Sequence, residues 1–293
     1  MTAPRFGLLD YPGIANLGDT IQALAARRFL PRVDVLVPRE RLAAPLAGPD
    51  GPVRMILNGW FMHDTAFWPP NPTIEPLLIS MHFVQGGRPR LRRWVQSRLE
   101  RMLSGPGADF LRRWGPVGAR DTFSLEQLER RGIPAYYSGC LTLTLPRRDG
   151  IGRTDAIVAS DLPPDVLSYL RATATGPVEE VTHLGGEHLD AAGRDVAANA
   201  LLDCYAAAAA VVTTRIHAAL PCLALGTPVL LVHDERPPRR IRDMTTLFHS
   251  CSLDDFTRGR HAFDVANPPP NPDDFIPLAR EIVRRCETFV TSS

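Results

Sequence analysis

The sequence predicts an α/β protein made of two Rossmann-like, doubly wound domains facing a cleft. Short apolar runs alternate with amphipathic segments along all 293 residues, the pattern of parallel strands buried on both faces and joined by crossover helices. Polar, often glycine-bearing turns follow many of those runs, where folds of this class place their ligands. The length accommodates two such domains.

In the first half, apolar runs at 6–11, 33–37, 53–58, 76–82 and 116–119 predict strands, and 20–29, 90–103 and 124–131 predict helices. Alternating Leu and Thr over 136–145 predicts the last strand of this half. Pro146 to Gly152 then reads as a linker, dividing the chain into domains 1–146 and 147–293. The second half repeats the alternation. Strands are predicted at 155–159, 178–182, 210–213 and 229–232, with helices at 164–172 and 194–208 and a short apolar helix after Arg215. A loose helical stripe of Phe275, Ile276, Leu278, Ile282, Val283 and Phe289 predicts a final helix over 273–290, of a kind that packs across a domain junction.

Composition excludes several chemistries. All 33 basic residues are arginine, so no lysine is available for a P-loop, a kinase strand or a Schiff base. Hydrophobic content of 44% and charged content of 22% are ordinary for a globular protein, and no apolar run approaches the roughly 20 residues of a membrane span. The N-terminal residues lack a charged lead followed by a long apolar core, which predicts a cytoplasmic location. Five cysteines, an odd number without CxxC pairing, predict reduced, structural thiols.

The most informative segment runs from Ala210 through Thr213-Thr214-Arg215-Ile216-His217 to Gly226-Thr227-Pro228. An arginine and a histidine two positions apart open an otherwise apolar helix, whose first-turn N–H groups favour an anion. The plain alternative is a surface-paired Arg215 and a core His217. Asn16-Leu17-Gly18-Asp19 follows the first strand without the spacing of a dinucleotide loop, and Asp19 suits an N-cap as well as an acid or base. Asn58-Gly59 and His63 follow the third strand and His82 the fourth, so both histidines sit at strand ends; no compact ligand spacing supports a metal site. Arg120-Asp121 ends the next strand, with Ser124 and Gln127 in capping-box spacing. The arginine-rich stretch from Arg88 to Arg113 reads as a solvated helix face, with peripheral contact to an anionic membrane surface as its rival; near-neutral net charge argues against nucleic acid.

In this order, Asn16-Leu17-Gly18-Asp19, Val117-Gly118-Ala119-Arg120-Asp121 with Ser124 and Leu128, and Thr214-Arg215-Ile216-His217-Ala218 with Gly226-Thr227-Pro228-Val229 resemble the polysaccharide pyruvyl transferase family. The resemblance implies a GT-B-like transferase that moves a pyruvyl group from phosphoenolpyruvate to a sugar of a glycan or exopolysaccharide as a ketal, with no cofactor. It implies an acceptor-side first domain, a donor-side second domain and a free or lipid-linked glycan acceptor met at the inner face of the membrane. Asp19 and His217 are then the catalytic candidates, and Asn16, Gly18, Asn58, His63, His82, Arg120, Thr214 and Arg215 the substrate-binding ones. Ala15 and Thr20 stand where the family often has Gly and Glu, and Asn58 to His63 replaces a glycine-rich run. A nucleotide-sugar glycosyltransferase and a non-catalytic partner in a glycan pathway are the alternatives.

Overall fold

The computed structural model describes residues 4–48, 51–83, 98–237 and 239–292. The chain divides into two compact units, one holding Met1–Pro12, Gln22–Leu141 and Arg280–Ser293, the other Gly13–Ile21 and Thr142–Ala279.

The first unit carries a six-stranded parallel sheet of β1 (Arg5–Asp10), β2 (Val35–Pro38), β3 (Val53–Phe61), β4 (Ile74–Phe83), β5 (Val117–Ala119) and β6 (Ala135–Tyr137) in the order β2-β1-β3-β4-β5-β6. Helix α1 (Leu17–Arg27) links β1 to β2, and α2 (Gly105–Trp114) and α3 (Thr122–Glu129) flank β5 in the chain. β3 and β4 are buried almost throughout, as strands covered on both faces must be. Because strands are added on opposite sides of β1, right-handed crossovers turn the helices to opposite faces and leave a switch point at the carboxyl ends of β1 and β3. A bulge marks that end: the β3–β4 register shifts between Leu57 and Gly59, with Gly59 at φ 99° and Ser80 at φ 56°.

The second unit carries a five-stranded parallel sheet of β7 (Ile157–Ser160), β8 (Val178–Val181), β9 (Ala210–Thr213), β10 (Val229–His233) and β11 (His249–Ser252) in the order β11-β10-β9-β7-β8. Its helices include α4 (Pro164–Thr173), α5 (Ala191–Ala207), α6 (Ile216–Leu225) and α7 (Leu253–Thr257). Ile157, Ala159, Ala210, Val212, Leu230 and Val232 pack with Val166 and Leu170 of α4 and Phe256 of α7 into one core. Here the order reverses between β7 and β9, and the second switch point lies at Ser160 and Thr213. The last helix, α8 (Ile276–Thr291), joins the first unit from Arg280 onward.

The α/β class with two parallel sheets is therefore the one the sequence predicts. Local departures have identifiable causes. Residues 141–144 form a 3₁₀ turn, Leu141–Thr144, instead of continuing a strand, because Gly139 at φ 68° ends the extended chain and Leu141 and Leu143 turn into the core. β11 lacks an apolar run because it is an edge strand, paired with β10 alone. Of the helix predicted over 90–103, residues 98–103 are helical; Arg88, Arg90, Arg92 and Arg93 lie outside the described residues.

Gly118 shows how the β5 motif depends on its neighbours. A Cβ there would stand 2.8 Å from the Tyr136 hydroxyl and 3.0 Å from Ser138 Cβ. Neither can easily give way, since Arg285 stacks 3.8 Å over the Tyr136 ring and the Ser138 hydroxyl binds the backbone of Ala119 and Ser80. Gly118→Ala is expected to lower stability by about 1–3 kcal/mol, the usual cost of overpacking, read as a lower urea midpoint.

Candidate functional site

The switch point of the second sheet gathers a polar network around the start of α6. β7 ends at Ser160, and Asp161 follows in the left-handed region at φ 52°, a conformation that costs a non-glycine residue about 1–3 kcal/mol and persists where surrounding bonds over-determine it. Those bonds are present. Asp161 Oδ1 accepts from the Thr182 hydroxyl at 2.7 Å, and Oδ2 accepts from the His183 backbone N–H at 3.0 Å and from Arg215 Nε at 3.1 Å. The Asp161 carbonyl accepts from the Thr214 hydroxyl at 2.9 Å. One residue thus ties the end of β7 to the segment after β8 and to the turn that opens α6.

The α6 turn is built from its threonines. The Thr213 hydroxyl donates to the Ser160 carbonyl at 3.0 Å and accepts from the Arg215 N–H at 2.9 Å, so it satisfies the amide of the residue that caps the helix. Arg215 provides no side-chain cap, and its guanidinium is one-third exposed with, among the described residues, only Nε engaged, by Asp161. His217, almost fully buried, occupies the first turn. Apolar packing of the remaining helix and Gly226 at φ 74° fix the far end.

The loop from the N-terminal sequence belongs to this same unit. The Leu17 N–H donates to the His183 carbonyl at 2.8 Å, the Gly186 N–H to the Ala15 carbonyl at 3.0 Å, and the Asn16 side chain accepts from the Gly18 N–H at 3.1 Å. Gly18 lies against His217, so that a Cβ at Gly18 would stand 3.0 Å from His217 Cβ and 3.1 Å from its Nδ1. Asp19 follows in the first turn of α1, buried to 8% exposure. The structure therefore brings Asn16, Gly18, Asp19, Thr214, Arg215 and His217 into one unit, with the Asp19 N–H donating to the Asn16 carbonyl at 3.2 Å.

Beneath them lies a buried relay that the sequence reading did not single out. His183 Nε2 and the Tyr205 hydroxyl are 2.6 Å apart, and that hydroxyl is 3.0 Å from Ser160 Oγ. Burial lowers the His183 pKa from 6.5 to about 4, with Asp161 opposing and Arg215 reinforcing the shift, so the ring is neutral at pH 7. Burial pushes the Tyr205 hydroxyl well above its ordinary range. The only signals for Asp161 and His183 in the sequence are positional: each follows directly or closely on a strand, Asp161 just before Leu162-Pro163-Pro164.

The other expected site residues occupy the first unit. Asn58 is fully buried at the switch point, where its Nδ2 donates to the Gln22 carbonyl at 3.0 Å and, among the described residues, its Oδ1 meets no hydrogen-bond partner. Arg120, also buried, donates to Gln22 Oε1 at 3.2 Å. Asp121 turns instead to His82, whose Nδ1 lies 2.5 Å from its Oδ2, both side chains being buried. Burial opposes ionisation of Asp121, but the His82 contact, Arg120 and the Ser124 N–H outweigh it and hold the carboxyl below its ordinary range. It is Asp121, accepting from the Ser124 N–H at 2.8 Å, that caps α3, with Ser124 at the third helical position rather than at the cap. His63 is exposed beside the Trp60 ring at 4.2 Å.

Among the described residues, no group of three His, Cys, Asp or Glu side chains could hold a metal ion, and no helix is long and apolar enough to cross a membrane. The five cysteines carry free thiols, and burial pushes those of Cys251 and Cys286 up to about 12.

Because the folded protein holds His183 with its pKa lowered to about 4, the unfolded chain binds more protons below pH 6.5. Stability from this group is complete above pH 6.5 and is lost as the pH falls toward 4, amounting at most to about 3 kcal/mol. Thermal melts from pH 8 to pH 4.5 are expected to show this decline, and His183→Gln to flatten the part between pH 6.5 and 5.

Comparison with known proteins follows the same residues. Residues 107–232 match the model of the polysaccharide pyruvyl transferase family, a span that includes Arg120, Asp161, His183, Thr214, Arg215 and His217. No curated protein matches the sequence. One solved structure similar to the chain is described as the glycotransferase of kitacinnamycin, with 12% identity over 98% of this chain and 97% of that one and a TM-score of 0.33. Residues 107–232, which include Arg120 and the Arg215–His217 pair, are thus similar to the polysaccharide pyruvyl transferase family.

Proposed function

We propose that the protein transfers a pyruvyl group from phosphoenolpyruvate to a sugar hydroxyl pair of a glycan, forming a cyclic ketal and releasing phosphate. The observation that carries this reading is the opening of α6. There a one-third-exposed guanidinium, held at Nε by Asp161, belongs to the residue that precedes the first-turn N–H groups of the helix, and His217 follows two positions later. Such a donor presents a carboxylate and a phosphate, the groups a guanidinium fork and a helix start bind best.

The chemistry assigns roles. The methylene carbon of the donor takes a proton, the adjacent carbon takes the first sugar oxygen, phosphate departs, and the second hydroxyl closes the ketal. Asp19 serves as the acid–base group, and His217 binds or protonates the departing phosphate. Gly18 holds the loop against His217, which sets the distance between the two. Asn58 and Arg120, at the carboxyl end of the first sheet, bind polar groups of the substrate, with Gln22 fixing both. No metal or organic cofactor enters this scheme, and a lipid-linked acceptor would bring the enzyme to a membrane surface.

Phosphate release from phosphoenolpyruvate in the presence of candidate glycans tests the reading. Arg215→Ala and His217→Ala are each expected to lower kcat/KM by about 100-fold or more, the scale of losing a charged transition-state contact. Gly18→Ala, which would push the His217 ring by a few tenths of an ångström, is expected to lower turnover more than it lowers the melting temperature. Calorimetric binding of a nucleotide sugar, with none of phosphoenolpyruvate, would assign the helix start to a glycosyl donor instead.

A further inference from the structure

We infer that Asp161 is a positioning residue for the donor arginine: it holds Arg215 by Nε alone and so presents the Nη1–Nη2 end of the guanidinium, end-on, to a planar carboxylate or a phosphate. The inference rests on the proposed function for the identity of that anion, and on geometry alone for the rest.

Three observations support it. First, Asp161 Oδ2 meets Arg215 at Nε, at 3.1 Å, and among the described residues no other group hydrogen-bonds or ion-pairs with the guanidinium. A bidentate salt bridge would have consumed one of the terminal nitrogens; this contact leaves both for a ligand. Second, the carboxylate is itself immobilised. Thr182 and the His183 N–H hold its two oxygens, and its side chain is 11% exposed against 35% for Arg215. A flexible, solvent-exposed arginine is thereby fixed at its inner end before a ligand arrives, which removes part of the ordering cost of binding. Third, Asp161 sits in a left-handed backbone conformation that aims its side chain across the sheet edge, and the Thr214 hydroxyl locks its carbonyl to the same turn. The residue two positions before the guanidinium's partner helix and the residue after β7 are thus set by one network.

This arrangement predicts behaviour that a merely structural carboxylate would not show. In arginine-labelled protein without ligand at pH 7, the Arg215 Nε–H resonance, assigned by its loss in Arg215→Lys, is expected to exchange slowly with water. In Asp161→Ala its exchange is expected to rise at least about tenfold, an exchange rate that remained unchanged overturning the proposal. In steady-state assays the KM for phosphoenolpyruvate is expected to rise at least about tenfold in Asp161→Ala with kcat within about threefold, and Asp161→Asn to recover part of the loss. Equal falls in kcat and kcat/KM, with KM unchanged, would refute a positioning role. Should Asp161→Ala not fold, Asp161→Leu, which has no acceptor, gives the same readings; failure of both to fold would assign Asp161 to the scaffold and overturn the inference. If the unmodified protein neither binds nor turns over phosphoenolpyruvate, the proposed donor is wrong, while the Nε exchange still decides whether Asp161 holds Arg215.

Discussion

The Asp161 carboxylate is the contact on which the second unit's site depends. It receives bonds from the adjacent Thr182 and His183 and from the distant Arg215, and the loop that brings Gly18 to His217 hangs from the same segment through the His183 carbonyl. A charged group this enclosed is tolerated because each oxygen is hydrogen-bonded and because a guanidinium neutralises it. Among the described residues its partner is engaged at Nε alone, so a contact that stabilises the fold leaves the guanidinium's terminal nitrogens to other groups.

Neutral polar groups below that layer separate structure from chemistry. His183, Tyr205 and Ser160 form a chain in which burial keeps the imidazole uncharged and the phenol protonated. A charged His183 would repel Arg215 and compete for Asp161; a neutral one supports the backbone without altering the field at the helix start. The first unit handles its charges differently. There His82 and Asp121 pair with each other in full burial, and Arg120 turns to the neutral amide of Gln22. Two adjacent residues at one strand end, Arg120 and Asp121, thus point to different partners although their sequence suggests a pair.

What was legible in the sequence follows from the range of the interactions involved. Parallel strands buried on both faces leave continuous apolar runs, so β3, β4, β9 and β10 declare themselves, and a helix that opens on Thr-Thr-Arg-Ile-His declares an unusual start. Asp161 and His183 do not, because their meaning comes from hydrogen bonds across tens of residues and from a backbone conformation that a serine–aspartate–leucine segment does not advertise. The buried thiols and the paired His82 illustrate the reverse: residues with chemical potential in the sequence that the fold encloses.

The assignment of the segment 13–21 to the second unit has the widest consequence. Sequence order places Asn16-Leu17-Gly18-Asp19 with the first sheet, yet its backbone bonds run to His183 and Gly186. Gly18 is the residue that this contact requires, since any side chain would press on His217. The acidic residue immediately after that glycine thus belongs to the same unit as the arginine and the histidine of α6. The charged and imidazole groups gathered there are supplied without any lysine.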